Sequence, residues 1–176
     1  MATHLIIGGA RSGKSAYAEK LAKDSGLSVT YIATAQVYDD EFRQRIEHHK
    51  ERRPADWQIV EVPFNLAATL NIYANPNNFI IVDCLTLWLA QSICPECAPK
   101  EGVDWSKERS TFLEALVGIT GNVVLVSNEV GMGIVPLGEI NRHFRDEQGR
   151  LNQAVAKICD VVTFVAAGLP LKLKQI

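Results

Sequence analysis

The chain has 176 residues and a formal net charge of −2 at pH 7. This length suits one domain with a real core, and the charge argues against nucleic acid or an anionic membrane as the main partner. The composition, 47 % hydrophobic and 22 % charged, is that of a soluble globular protein. Asp83 interrupts the longest apolar run, so we predict no membrane span. The four cysteines, with no signal-peptide pattern at the start, favour reduced thiols in the cytoplasm.

The first predicted elements are a strand at 4–7 and a helix at 15–24, joined by a glycine-rich turn. This turn, Gly8-Gly9-Ala10-Arg11-Ser12-Gly13-Lys14-Ser15, has the spacing G-x-x-x-x-G-K-[ST] of a phosphate-binding loop. Glycines let backbone N–H groups converge on phosphate oxygens, and the helix dipole adds positive potential there. We expect Lys14 to reach the β- and γ-phosphates and the Ser15 hydroxyl to bind Mg²⁺. A chance match is the alternative, but the flanking strand and helix favour binding of a nucleoside triphosphate.

Strand-like and helix-like segments alternate along the rest of the chain. Several strands are continuously apolar, which is typical of strands buried on both faces of a parallel sheet. The alternation predicts an α/β fold with right-handed crossovers and with ligands beyond the carboxyl ends of the strands. The further strands are predicted at 28–34, 58–62, 79–82, 123–126 and 161–165, the further helices at 40–52, 65–73, 106–118, 137–145 and 150–158, and a surface loop at about 91–105.

A second nucleotide motif is predicted where the apolar run 79–82 ends in Asp83. In a protein with a phosphate loop, such a carboxylate holds Mg²⁺, directly or through water, opposite the loop serine. A strand-terminal Asp can also simply cap the next turn. Because the phosphate loop is present, we expect Asp83 and Ser15 to be the metal ligands.

The charge-rich segment 39–54 is predicted to contain a helix that ends at its proline. Helical spacing puts His49 on an apolar stripe, with Arg45 and Arg53 one turn on either side. Between two guanidinium groups an imidazole stays neutral and nucleophilic. His48 points about 100° away and is expected to face solvent. For these residues alone, a solvated helix whose histidine borders the core is the simpler interpretation.

Three further segments are not assigned by their residue patterns. Residues 127–136 form a strand end that runs into a glycine-rich loop, a common place for ligand contacts. Residues 141–146 carry two arginines that could meet phosphates or form salt bridges with the adjacent acidic residues. Cys94 and Cys97 form a lone C-x-x-C, which we interpret as incidental because a structural zinc site needs four ligands.

The ordered set of motifs is more specific than the phosphate loop alone. It closely resembles the bifunctional adenosylcobinamide kinase / adenosylcobinamide-phosphate guanylyltransferase family of cobalamin biosynthesis, over nearly the whole chain. The chain departs from the family pattern at Ala90-Gln91, where Ser-Asn is common. The matching pieces are 8–15, 31–35, Asp40-Glu41, Arg45-Ile46 leading to His49, Arg53-Pro54, Trp57 with Glu61, 82–88, 127–136, 144–146, Gly149 with 151–153, and 167–170.

The resemblance implies two reactions. ATP or GTP phosphorylates the aminopropanol hydroxyl of adenosylcobinamide. GTP then guanylylates an active-site histidine, with release of pyrophosphate, and the GMP passes to adenosylcobinamide phosphate to give adenosylcobinamide-GDP. By position in the R-I-x-x-H pattern this histidine is His49, with the adjacent His48 as the alternative.

The resemblance also implies a fold, an assembly and a set of contacts. The fold is a RecA-like P-loop NTPase domain spanning 1–176, with a mostly parallel sheet flanked by helices, and the assembly is a homotrimer. Mg²⁺ would be held by Ser15 and Asp83. The implied contacts to GTP or ATP are Gly8, Gly9, Ala10, Arg11, Ser12, Gly13, Lys14, Ser15, Ala33, Thr34, Ala35, Lys50, Glu51, Arg52, Arg53, Glu61 and Asp83.

Two other functions stay open at this point. A single-activity phosphate-loop kinase for another small molecule would need no histidine intermediate. A GTP-dependent switch would bind partners and transfer nothing; residues 146–149 have the D-x-x-G spacing of such switches. However, no buried strand is predicted before them, and the N-K-x-D guanine motif is absent, which argues against a switch.

Overall fold

A computed structural model of the protein describes residues 2–36, 54–94 and 102–176. Within these ranges seven strands form one sheet, in the order β3-β2-β4-β5-β1-β6-β7. All neighbouring pairs are parallel except β6 and β7, which are antiparallel. The strands are β1 (Thr3–Gly8), β2 (Ser28–Ala33), β3 (Gln58–Glu61), β4 (Asn78–Asp83), β5 (Asn122–Asn128), β6 (Val161–Ala166) and β7 (Leu169–Gln175).

Helices cover both faces of this sheet, which explains why the central strands β4 and β5 carry continuous apolar runs at 79–82 and 123–126. Ala18 and Ala22 of the first helix pack on one face, and a larger core that includes Trp88 and Phe112 fills the other. This arrangement confirms the predicted α/β fold with a mostly parallel sheet. The helices of the described residues are α1 (Lys14–Ser25), α2 (Leu66–Tyr73), α3 (Leu85–Ile93), α4 (Trp105–Val117) and α5 (Glu139–Ile158).

The structure corrects three details of the sequence prediction. Helix α3 is not among the predicted helices, and its last residues, 91–93, lie in the predicted surface loop, although Gln91 is only 1 % exposed. The two helices predicted at 137–145 and 150–158 are one continuous helix, α5. Strand β7 was not predicted at all. The helix expected at 40–52 lies outside the described residues.

No helix in the described ranges is both long and apolar enough to span a membrane.

Candidate nucleotide-binding site

The predicted contacts that fall within the described residues gather at one edge of the sheet. Parallel pairing places Gly8 beside Asn128, and Ala33 beside both Asp83 and Glu61. Because these residues end their strands, they stand at the carboxyl edge, where α/β sheets bind ligands. The predicted site residues at this edge are the loop 8–15, Ala33, Thr34, Ala35, Glu61 and Asp83.

The phosphate loop connects β1 to α1 through a left-handed backbone. Arg11 has φ of +54° and Gly13 has φ of +102°, a region in which L side chains are disfavoured. Gly13 is the N-cap of α1, and no side chain caps this terminus in the part of the chain that the structure describes. The first turn of α1 contains no acidic residue. The uncapped N–H groups and the helix dipole therefore favour an anion at this position.

Lys14 is the first residue of α1, directly after the loop glycine Gly13, and is only 7 % exposed. Its Nζ atom donates a hydrogen bond to the Gly9 carbonyl at 2.6 Å. Desolvation by burial lowers the pKa of Lys14, while the nearby Cys84 and Asp83 oppose the shift. A phosphate group would supply a negatively charged partner for this buried ammonium.

The hairpin of β6 and β7 packs against the outside of the phosphate loop. Its turn has left-handed residues, with φ of +51° at Ala167 and +78° at Gly168. The Gly168 N–H donates to the Ser12 carbonyl at 2.8 Å. A Cβ atom added to Gly13 would lie 3.1 Å from the Gly168 Cα, and one added to Gly8 would lie 2.3 Å from the Val165 carbonyl oxygen. The close approach of the hairpin therefore leaves no room for a side chain at Gly8 and only a tight fit for one at Gly13.

The Ser12 hydroxyl is buried and finds no hydrogen-bond partner within the described residues.

Asp83 stands across from the loop with one carboxylate oxygen already bonded. The Tyr31 hydroxyl donates to its Oδ2 atom at 2.5 Å. Among the described residues, the Oδ1 atom of Asp83 accepts no hydrogen bond and the Ser15 hydroxyl makes none. A carboxylate and a hydroxyl are ligands that suit Mg²⁺, which takes one or two protein ligands and completes its shell with phosphates and water. The donors present therefore fit this metal.

No cluster of three or more His, Cys, Asp or Glu side chains that could hold a metal ion occurs in ranges 2–36, 54–94 and 102–176.

The segment after β2 is held by side chains that sequence reasoning missed. The Gln91 amide donates from Nε2 to the Thr34 carbonyl at 2.8 Å, and its Oε1 accepts from the Gln36 N–H at 2.9 Å. The Thr34 hydroxyl donates to the Cys84 carbonyl and accepts from the Cys84 N–H, at 2.7 and 2.9 Å. The Thr34 hydroxyl therefore already donates and accepts a hydrogen bond within the protein. The departure from the family pattern at Gln91 was the available signal for this contact.

The later segments form hydrogen bonds and ion pairs within the protein. Gln148, which belongs to the D-x-x-G match, lies buried in α5, where its amide donates to Ser127 at 2.9 Å. Arg145 pairs with Asp146, and Arg142 donates to the Leu137 carbonyl. The switch-like spacing is therefore part of a helix that supports β5, and both arginines already have partners within the protein.

Several predicted site residues lie outside the described ranges. They are His49 with its alternative His48, and the nucleotide contacts Lys50, Glu51, Arg52 and Arg53. Cys97 of the C-x-x-C pair also lies outside them, whereas Cys94 follows the last residue of α3. The assignment of these residues to the site stays a prediction.

The fold and the loop together define a P-loop nucleotide-binding protein of the α/β class. The chain belongs to the CobU family, described as cobinamide kinase / cobinamide phosphate guanyltransferase, whose family model matches residues 4–173. This membership confirms the resemblance noted from the motifs and excludes a switch without transferase activity.

Full-length relatives agree with the family assignment. The "Bifunctional adenosylcobalamin biosynthesis protein CobP" of Pseudomonas aeruginosa is 52 % identical over 97 % of this chain and 96 % of its own. The "Bifunctional adenosylcobalamin biosynthesis protein CobU" of Escherichia coli K12 is 40 % identical over 97 % of this chain and 98 % of its own. A solved structure of the Pyrococcus horikoshii OT3 protein PH0250 is similar in fold alone, with 9 % identity and a TM-score of 0.56 over 99 % of this chain and 87 % of that one.

Proposed function

We propose that this enzyme phosphorylates adenosylcobinamide with ATP or GTP and then transfers GMP from GTP to the product through a guanylyl-histidine. The observation that supports the proposal most is the convergence of the phosphate loop and Asp83 at one sheet edge, in a chain that matches the family from residue 4 to residue 173. The products are adenosylcobinamide-GDP and pyrophosphate. The reaction belongs to the assembly of the nucleotide loop of cobalamin.

In both steps, the loop would act by binding and charge stabilisation. The N–H groups of 9–15 and the Lys14 ammonium bind the phosphates, and Ser15 and Asp83 hold Mg²⁺. When bound, Mg²⁺ neutralises negative charge on the phosphate oxygens. In the kinase step, this arrangement orients the γ-phosphorus toward the cobinamide hydroxyl.

In the guanylyl step, we assign the nucleophile to His49. A neutral imidazole nitrogen forms a bond to the α-phosphorus, and the bond from that phosphorus to the bridging oxygen of pyrophosphate breaks. A phosphate oxygen of adenosylcobinamide phosphate then attacks the same phosphorus, and the imidazole leaves. Lys50, Glu51, Arg52, Arg53, Glu61 and the segment Ala33–Ala35 are proposed to contact the nucleotide.

We further propose that residues 1–176 form one catalytic domain, and that three copies assemble into a homotrimer in the cytoplasm. Exposed apolar side chains provide surface for contact between copies: Met132 is 80 % exposed, Ile134 98 % and Leu137 96 %. Sedimentation analysis of the purified protein tests the assembly, and a monomer at micromolar concentration would contradict it.

The guanylyl-histidine is tested with Mg²⁺ and GTP labelled at the α-phosphate. We expect covalent label that acid removes and base does not, because a phosphoramidate is labile only in acid. His49→Ala should abolish the label, and His48→Ala should retain it.

Folded protein that binds GTP but takes up no label would contradict the guanylyltransferase proposal. Label that survives His49→Ala and disappears in His48→Ala would move the role to the neighbouring histidine. If phosphoryl transfer to a small molecule occurs without label, the single-activity kinase is the better description.

A further inference from the structure

Tyr31 reaches across from β2 to the carboxylate of Asp83. In the parallel pairing Tyr31 stands opposite Ile81, so its side chain leaves the same face of the sheet as Asp83, two residues further along β4. Neighbouring strands lie about 5 Å apart, so a long aromatic side chain reaches such a diagonal neighbour. The phenol is 1 % exposed and donates to Asp83 Oδ2 at 2.5 Å.

The phenol ring is itself fixed by packing. It stacks on Trp57, with ring centroids 6.4 Å apart and an interplanar angle of 25°. Trp57 is only 8 % exposed, and its backbone N–H donates to the Pro54 carbonyl at 3.2 Å. Because the ring is held on a buried strand and by a second aromatic side chain, its hydroxyl presents a donor at a defined position.

A hydrogen bond to one oxygen restricts how a carboxylate can rotate. Because Oδ2 is bonded to Tyr31, the orientation of the carboxylate plane, and with it the position of Oδ1, is restricted. Outer partners of this kind orient metal ligands, and their removal typically weakens metal binding by about 10- to 100-fold.

We propose that Tyr31 is a positioning residue that orients the Asp83 carboxylate to bind Mg²⁺ together with the nucleotide. The inference rests on the proposed function only in taking Asp83 as a metal ligand. It assigns Tyr31 no contact with the nucleotide and no proton transfer.

The test is the variant Tyr31→Phe, which keeps the ring and its stack on Trp57 and removes only the hydroxyl. Tyr73→Phe is the matched control, because the Tyr73 hydroxyl accepts only a long contact of 3.5 Å from Gln58 at the surface. The probe is Mn²⁺ binding to protein saturated with GDP, followed by electron paramagnetic resonance. GDP affinity in the presence of EDTA is measured separately.

We expect Tyr31→Phe to weaken Mn²⁺ binding by about tenfold. Its GDP affinity in EDTA should stay within about twofold of the parent protein, and saturating Mg²⁺ should restore the rate of guanylylation. Tyr73→Phe should bind Mn²⁺ and GDP as the parent does.

Unchanged Mn²⁺ affinity in Tyr31→Phe would overturn the proposal, and so would an equal loss of GDP affinity with and without the metal. Asp83→Asn separates this inference from the proposed function. If Asp83→Asn abolishes Mn²⁺ binding and Tyr31→Phe does not weaken it, only the role of Tyr31 fails. If Asp83→Asn leaves Mn²⁺ binding intact, the metal role of Asp83 fails and the inference fails with it.

Discussion

At the residue scale, Lys14 places a buried positive charge within the phosphate loop. The side chain is almost fully buried, and desolvation lowers its pKa. Its ammonium bonds to a backbone carbonyl of its own loop. A phosphate that enters the loop supplies a charge-assisted partner, and its attraction to the buried ammonium offsets the cost of desolvation and contributes to the binding free energy.

We expect Lys14→Met to weaken GDP binding by about 10- to 100-fold, because hydrogen bonds to charged groups contribute about 1.5–3 kcal/mol. The free energy of unfolding without nucleotide should change by less than about 1 kcal/mol, since the loss of one hydrogen bond is offset by removal of a buried charge. Isothermal titration calorimetry and thermal unfolding measure the two quantities.

Lys20→Met on the same helix is the control, because Lys20 is exposed and pairs with Asp24 away from the loop. It should leave GDP affinity unchanged. If Lys14→Met binds GDP normally but unfolds far more easily, the lysine supports the fold and not the ligand.

At the element scale, the β6–β7 hairpin acts as a brace for the phosphate loop. The hairpin turn bonds to the Ser12 carbonyl and leaves no room for a Cβ atom at Gly8. The loop is therefore confined between α1 and a hairpin that lies at the far end of the sequence. An ordered loop loses less conformational freedom when it binds a phosphate, so the brace should raise nucleotide affinity.

The variant Gly168→Pro tests this brace, because proline removes the N–H donor and cannot adopt the positive φ of Gly168. We expect GDP affinity to fall by about 5- to 10-fold, in line with one lost hydrogen bond of about 1 kcal/mol. Gly26→Pro is a matched control: Gly26 also has positive φ, of +67°, and donates to Lys23 at the far end of α1. Both variants should lose stability, but only Gly168→Pro should lose GDP affinity. Equal losses of affinity in the two would argue against the brace.

The elements that sequence patterns missed each have a physical reason for being missed. Helix α3 is buried nearly all round, with Leu85, Trp88 and Gln91 at most 1 % exposed, so no polar face marks its period. Helix α5 runs through Gly149, which interrupts the pattern but is tolerated because buried neighbours on either side hold the helix. Strand β7 is an exposed edge strand with a proline, and edge strands carry a weak pattern.

The site was predictable to the extent that it follows local rules. The phosphate loop and Asp83 have a fixed spacing and a strand-end position, and both could be found without a fold. Tyr31, Gln91 and Gly168 contact residues that lie 52, 57 and 156 positions away in the chain. These contacts depend on strand order and helix packing. No periodicity in one sequence specifies that order.

At the scale of the whole molecule, β1 connects the phosphate loop at the carboxyl edge to the rest of the sheet. It pairs with β5 on one side and β6 on the other, and the phosphate loop begins at its last residue. His4 lies in this strand, where its Nε2 atom is 2.8 Å from the Thr163 hydroxyl of β6 and its ring meets Tyr17 of α1 edge-on. The protonation of one histidine therefore bears on the stability of the central sheet.

Burial, reinforced by the Lys172 ammonium, lowers the pKa of His4 from the ordinary 6.5 to about 4. The unfolded chain therefore takes up this proton first as pH falls, so stability is complete above about pH 6.5 and is lost as pH falls toward 4. For a half-buried group we expect a loss of about 1–2 kcal/mol after solvent screening. Urea unfolding between pH 7 and 4 measures it. His4→Gln should flatten this pH dependence, and the control His143→Gln, at an exposed position, should retain it. An unchanged profile in His4→Gln would show that other groups, and not the strand that carries the phosphate loop, cause the acid sensitivity of the fold.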